Sequence, residues 1–511
     1  MKNNYSCKKM NIFKIIGWIF LTFLLFLCVL LFFSATWYVT VYGNVGFEAV
    51  IYSMTNNLSS TESGLIISYV LKAALPAVGI TALLSFLFWY RPKFKRILKI
   101  KKIKLTLWPL HRVLIVILCL IISVSSAWGG ISAFKIPQYV ETVTTPSSVF
   151  EEYYVEPTDE NVIFPENKRN IIRIYLESME TTFFNKNKGG ALNECAIPEL
   201  YNLANHSVNF SQNSGIGGAL TTSGTGWTIA GIVAQTAGIP FKLESPTGND
   251  YSSYEKILPG VTTLSDILHK NGYYQAFMMG SNSAFASRNK FLTQHGTDKI
   301  YDTSTAVKDG IIPKGYSAWW GFEDKYLFEY AKQELLKISS SDKPFSFSML
   351  TADTHHIGGY VCSECKNKFK EQYENVFACS SKQVNSFIKW IKKQSFYKNT
   401  VIVITGDHCS MDGEYIKRNV SDSYTRRVYN CIINSAVKAK HSKNRTFTTL
   451  DIFPTTLAAM GCTIVDDRLG LGTNLFSNRK TYSEKLSFEY LDSETAKKSS
   501  YYNSKFINGE K

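Results

Sequence analysis

Three apolar runs in this sequence end in residues that have no place in a core. "IYLES" closes on Glu177 and Ser178, "LTADTHH" brings Asp353, His355 and His356, and "VIVITGDH" ends on Asp407 and His408. Carboxylate oxygens and imidazole nitrogens are the donors a divalent cation such as Mn²⁺, Mg²⁺ or Zn²⁺ takes. One carboxylate at a strand end is usually the cap of the next helix. Three such ends converging on one edge of a sheet point to a metal site. A fourth stretch, "GTGWTIAGIVAQTAGIP" (Gly224–Pro240), puts a threonine after a glycine where a helical pattern begins. Thr225 there reads as a cap, or as a nucleophile where free N–H groups and the helix dipole favour a phosphate. An alcohol is a weak nucleophile at its ordinary pKa, and a bound cation makes its alkoxide accessible. With a metal at these strand ends, Thr225 is therefore read as the nucleophile. Arg288, in "SNSAFASRNKFL", has the planar fork that suits phosphate oxygens; the alternative is an ordinary surface arginine.

These residues need elements to hold them. From Ile171 onward, short apolar runs ("IIRIYLES", "YYQAFMMG", "PFSFSMLTADTHH", "TVIVITGDH") alternate with segments of helical spacing ("LFEYAKQELLKIS", "VNSFIKWIKKQ"). That alternation predicts an α/β domain, a mostly parallel sheet sandwiched by helices. In such sheets ligands bind beyond the carboxyl ends of the strands, which is where the polar residues sit. The expected organisation is a membrane domain over 1–134, a polar linker over 135–169, the sheet domain over 170–478 and a polar tail over 479–511.

The 511 residues are 45% hydrophobic, 19% charged and carry a formal net charge of +15. Apolar runs at about 15–37, 69–90 and 113–133 are long enough to cross a bilayer. Nine Lys or Arg lie between Arg91 and Arg112, and Lys2, Lys8, Lys9 and Lys14 precede the first run, while Thr36–Gly64 contains neither. The positive-inside rule then expects a multi-pass protein of a bacterial plasma membrane with a cytoplasmic N-terminus and an extracytoplasmic sheet domain. A basic run between spans meets anionic headgroups, so a membrane partner is expected and no nucleic acid. Cys362, Cys365 and Cys379 could hold zinc, but no fourth ligand stands at the usual spacing. Outside the cytoplasm a disulfide, Cys365–Cys379, is the expectation.

The order LES, GTGWT, SxxR, THH and GDH resembles the lipoteichoic acid synthase and phosphoglycerol transferase families, membrane-tethered members of the alkaline phosphatase/sulfatase superfamily. "GTGWTIAGIVAQTAGIP", "LTADTHH" and the Cys365/Cys379 pair look most like the phosphoglycerol transferases of osmoregulated periplasmic glucans. "TTLDIFPTTLAAMG" and "GLGTNLF" resemble the superfamily's closing helix and strand, so the likeness runs from Asn170 to Phe476. It implies Glu177, Thr225, Asp407 and His408 as metal ligands, Thr225 as nucleophile with Thr228 as the second choice, Arg288 and His355 as phosphate-binding groups, and His356 as a neighbour. It implies Mn²⁺ as cofactor, with Mg²⁺ or Zn²⁺ as alternatives, phosphatidylglycerol as the lipid donor and a glycan or polymer as acceptor. The sequence departs from the lipoteichoic acid synthases in three spans rather than five. It has Ala286 where they carry Trp, Met279 where they carry His, and Ile357 where Pro is common. A phosphoethanolamine transferase and an inactive glycan-binding or sensor module are the alternatives.

Overall fold

A computed structural model describes residues 12–42, 63–90, 97–100, 103–243 and 251–510. The basic residues Lys2, Lys8, Lys9, Arg91, Lys93, Lys95, Arg96, Lys101 and Lys102 lie outside the described residues, as does most of the Lys- and Arg-free stretch after the first span. The chain divides into two compact units, residues 1–140 and 141–511.

The first unit contains helices α1 (Ile12–Tyr42), α2 (Ser63–Tyr69), α3 (Leu75–Trp89) and α4 (Leu107–Ala133). A π-helical turn at Val70–Ala74 joins α2 to α3, and a short hairpin, β1 (Ile97–Ile100) and β2 (Ile103–Thr106), precedes α4. Three helical stretches, 15–41, 65–89 and 111–133, are long and apolar enough to cross a membrane. Helices pack in such a setting through close contact rather than water exclusion, and small residues permit it. Gly129 and Gly130 of α4 lie against Phe32 and Leu31 of α1, where a methyl group would come within 2.7 Å of either side chain.

The second unit is built on a seven-stranded sheet. After the short β3 (Val162–Ile163), its strands are β4 (Asn170–Leu176), β5 (Gly218–Ala219), β6 (Tyr274–Met279), β7 (Lys299–Tyr301), β8 (Phe345–Leu350), β9 (Thr400–Gly406) and β10 (Val428–Ile433). The order across the sheet is β5-β10-β9-β4-β8-β6-β7. The five strands from β9 to β7 run parallel, and β10 and β5 are antiparallel additions at one edge. Every residue of β8, β9 and β10 is buried, as expected of strands covered on both faces. Alternate residues serve the two faces. Ile172, Ile174 and Leu176 of β4 join a core with Phe377 and Phe387, whereas Tyr175 joins one with Ile229, Val233 and Leu350.

The stretches read as a polar linker and a polar tail are both packed into the second unit. Within the expected linker, Val149 and Phe150 are buried and β3 pairs with Thr463–Ile464. The 479–511 segment forms two short helices, Tyr482–Leu486 and Phe488–Ala496, and buries Tyr482, Leu491, Tyr502 and Phe506 in the same core as Phe150. Its Asp492 accepts a 2.6 Å hydrogen bond from the Ser223 amide, bracing the loop before Thr225.

Candidate active site

Strand register assembles the site. β4 and β9 are paired so that Leu176 faces Gly406, and the next residue on each strand is Glu177 and Asp407. β8 pairs Leu350 with Met279 of β6 on its far side, so the chain leaves both strands at the same edge, toward His355 and toward Arg288. One ligand atom from each of Glu177, Asp407 and His408 lies within 4.8 Å of the others, and all three residues are buried.

The backbone around them is fully used to fix their direction. Glu177 is held by the segment that follows β8: Thr351 Oγ1 accepts from its amide at 3.0 Å, and Thr354 Oγ1 donates to its carbonyl at 2.6 Å. Ser178 turns the chain sharply with φ +55°. Its amide donates to Asp407 Oδ1 at 2.8 Å and its hydroxyl to Glu177 Oε1 at 2.7 Å. Asp407 Oδ1 also accepts from the His408 amide at 2.8 Å, while Oδ2 is buried with no hydrogen-bond partner. His408 Nδ1 lies 2.8 Å from the Cys409 carbonyl, which can only accept, so the ring proton sits on Nδ1. Its Nε2 lone pair then faces Glu177 and Asp407, 3.4 Å from each. A ligating histidine characteristically spends its other N–H in this way. Behind the cluster, Arg426 clamps Glu180 and the Ser410 carbonyl, tying the loop after His408 to the turn after Glu177.

Burial and then the Glu177 charge push Asp407 up to about 8. Burial works against Glu177 too, but the His408 and His355 charges hold its carboxyl below the usual range. His408 is raised despite burial, by Asp407 and Glu177. Asp407, in this dry site, therefore keeps a proton that a divalent cation would replace. The orphaned Oδ2, the inward lone pair and the oxygen–nitrogen donor set fit such an ion. Metal uptake by metal-free protein is accordingly expected to release protons and to weaken as pH falls below about 8. Calorimetric titration with Mn²⁺ in buffers of different ionisation enthalpy checks this; an affinity independent of pH would contradict it.

The two threonines part company. The helix α5 runs over Thr228–Ala237, with Trp227 at its N-cap, so Thr225 does not open it. Thr225 is fully buried in the preceding loop and its hydroxyl donates to the Thr222 carbonyl at 2.7 Å. Thr228 is half-buried at the first helical position, and its Oγ1 donates to Glu177 Oε2 at 3.3 Å. The hydroxyl that meets the cluster is thus that of Thr228. Gly231 allows the approach. A methyl group there would lie 2.1 Å from the Asp407 carbonyl oxygen. Gln235, one turn on, donates to the Gly406 carbonyl at 2.9 Å and accepts from Thr405 at 2.6 Å. Gly231→Ala is expected to push α5 off the strand ends, lowering metal affinity and stability by about 1–3 kcal/mol; Mn²⁺ titration and thermal unfolding read both.

Arg288 begins helix α6 (Arg288–Gln294) behind two residues of positive φ, Ala286 (+53°) and Ser287 (+52°). It is a buried side chain rather than a surface one. Its Nε donates to the Phe285 carbonyl at 3.1 Å, and Nη2 to Ser281 Oγ and the Asn282 carbonyl at 3.0 and 2.8 Å. His355 is half-exposed, with Nδ1 2.7 Å from the His356 carbonyl, so its Nε2 carries the lone pair. Burial lowers its pKa, and the Arg288 charge is close enough to add to the lowering. Trp320, which sequence reasoning missed, packs with tilted rings 4.5 Å from His355 and 5.7 Å from Phe285. Its one signal was the doubled indole of "AWWG". His356 stacks on His355 at 4.5 Å and has no place among the cluster's ligand atoms. Asp353 lies buried against Asp324, whose amide donates to it at 3.2 Å.

The expected Cys365–Cys379 disulfide is absent, and both residues are free thiols. Cys362 lies between them, 3.7 Å from Cys365 and 3.8 Å from Cys379, well beyond the ~2.05 Å of a bonded pair.

A family model described as Sulfatase matches residues 169–462. Phosphoglycerol transferase I of Escherichia coli O127:H6 is 31% identical over 373 residues, 71% of this chain and 45% of that protein. The chain thus spans about half the length of the curated relatives it matches. Among solved structures, an alkaline phosphatase superfamily protein from Vibrio parahaemolyticus aligns with TM-score 0.49 and 21% identity, covering 63% of this chain and 72% of that one. The lipoteichoic acid synthase LtaP of Listeria monocytogenes aligns with TM-score 0.48 and 18% identity, covering 64% and 80%.

Proposed function

The chain belongs to the Sulfatase family, and from that premise we propose that it is a membrane-anchored transferase moving glycerol phosphate from phosphatidylglycerol to a cell-envelope glycan or polymer through a threonine ester. The observation that carries the reading is the Thr228 hydroxyl, at a helix N-terminus and hydrogen-bonded to Glu177 in the cluster with Asp407 and His408. The likeness to phosphoglycerol transferase I supports the choice of headgroup. The three apolar helices support anchoring, and the Lys/Arg distribution supports a cytoplasmic N-terminus with the catalytic unit outside the plasma membrane.

Glu177, Asp407, His408 and Thr228 would hold the cation, Mn²⁺ in this reading. Bound there, it supplies Lewis-acid stabilisation of the alkoxide and of the phosphate charge. Thr228 Oγ attacks the phosphorus of the lipid, the P–O bond to diacylglycerol breaks, and the threonine's proton ends on the departing diacylglycerol oxygen. Glu177 Oε2 orients that hydroxyl by accepting its hydrogen bond. The free N–H groups at the start of α5 face the developing charge. Arg288 supplies positive charge at the phosphate site, and His355, neutral with its lone pair on Nε2, accepts the acceptor's hydroxyl proton in the second half. That acceptor oxygen then takes the phosphorus, the bond from phosphorus to Thr228 Oγ breaks, and the proton taken by His355 is returned to Oγ, restoring the Thr228 hydroxyl.

The test uses the full chain in liposomes with Mn²⁺ and headgroup-labelled phosphatidylglycerol or phosphatidylethanolamine. Diacylglycerol release and a glycerophosphate adduct on the Thr228 peptide are expected with the first lipid. An ethanolamine phosphate adduct would move the donor to the other headgroup. Metal-loaded protein that turns over neither lipid would return the binding-module alternative.

A further inference from the structure

A second donor cluster lies away from the strand-end site. Cys362 and Cys365 sit on the loop that runs on from His355, and Cys379 sits on helix α7 (Gln372–Ile391). The three sulfurs lie within 4.8 Å of one another. Four sulfurs around zinc at about 2.3 Å define a tetrahedron whose edge is about 3.8 Å. The Cys362–Cys365 and Cys362–Cys379 separations, 3.7 and 3.8 Å, are two such edges. The Cys365 amide donates to the Cys362 carbonyl at 3.1 Å, closing the tight turn that brings the CxxC pair together.

The remaining vertex also has a candidate group. The Gln383 side-chain amide is 8% exposed, and its nitrogen lies 3.5 Å from Cys379 Sγ, 3.8 Å from Cys362 Sγ and 3.2 Å from Glu364 Oε2. Its Oε1 is buried without a partner. Amide oxygen and nitrogen exchange places on a 180° rotation, which would turn the orphaned oxygen toward the sulfurs beside the Glu364 carboxylate. Contacts to Cys365 and Cys379 hold Cys362 well below the usual thiol range, and the shared protons push those two up. Three thiols so close cannot all ionise without a cation between them.

We propose that Cys362, Cys365 and Cys379 bind a structural zinc ion as thiolates, with an oxygen from Gln383 or Glu364 completing the tetrahedron. Binding Zn²⁺ expels the thiol protons to solvent and changes no oxidation state. The ion staples the loop after His355 to α7. The inference is independent of the transferase reading, because it uses none of the strand-end residues.

Full-length Asp407→Asn protein, impaired at the strand-end site, is loaded with ZnCl₂, desalted and assayed for zinc and free thiols. One tightly held zinc per chain is expected, with the three thiols protected from alkylation until a chelator is added. Cys362→Ser should lose that zinc. In case this variant folds poorly, Co²⁺ loading of the Cys-intact protein should give an intense sulfur-to-metal charge-transfer band that Glu177→Gln does not remove. No retained zinc and no such band would overturn the proposal, whether the cysteines prove to be freely alkylated thiols or a disulfide in non-reducing peptide maps.

Discussion

Thr228→Ala is expected to abolish both lipid turnover and the covalent adduct, a loss of about 10⁴-fold or more, the scale on which nucleophile deletions fall. Thr225→Ala is the control. That hydroxyl serves one buried hydrogen bond to the Thr222 carbonyl, so its removal costs about 1 kcal/mol of stability and leaves the Thr228 adduct in place. The argument rests on access as much as on contact. Thr225 is fully buried, whereas Thr228 is half-exposed beside Glu177. Peptide mass spectrometry after one turnover, with both variants in parallel, decides between them. An adduct surviving in Thr228→Ala would remove this threonine from the mechanism.

Removing a ligand carboxylate should have opposite effects with and without metal. In Mn²⁺, Asp407→Asn is expected to lose metal and about 10³-fold or more of turnover. In chelator, the same change should raise the thermal midpoint relative to wild type. The sign follows from the site: burial and the Glu177 charge raise the folded-state pKa of Asp407 to about 8, above its ordinary 3.8. Its contribution to stability is then full below 3.8 and is lost as pH rises through about 8. Asparagine carries no charge at any pH and places N–H donors where Oδ2 has no partner. The gain should therefore grow from pH 6 to pH 9 in melts with EDTA and reverse when Mn²⁺ is added. A variant less stable than wild type in both conditions would show that the carboxylate is held by more than the ion.

Much of this site could be read from sequence, for a reason particular to parallel sheets. Strands buried on both faces are continuous apolar runs, so the first polar residue marks the strand end, and Glu177, Asp407 and His408 announce themselves. Choosing between Thr225 and Thr228 needed information that local pattern lacks. A glycine followed by threonine looks like a helix start, yet α5 begins three residues later at an N-cap, Trp227, whose side chain caps nothing. What fixes the start is tertiary, the seating of Gly231 on the Asp407 carbonyl. The three cysteines show the same limit, since spacing named two partners and folding set Cys362 between them. The last thirty residues hid their role because Tyr482, Leu491, Tyr502 and Phe506 are dispersed among polar neighbours.

The pairing of β4 with β9 sets a timetable for synthesis. Ser178 and Asp407, bonded across the site, are 229 residues apart. At about 5–20 residues per second, β9 follows β4 from the ribosome after roughly 10–50 s. Until β8 emerges, most of the way through that interval, β4, an apolar strand destined for the middle of the sheet, has neither neighbour. Loop closure over such a distance must precede any contact that rewards it. An ion held by Glu177, Asp407 and His408 would therefore have nothing to bind until the last central strand docks, and would lock a sheet that is already closed rather than seed one.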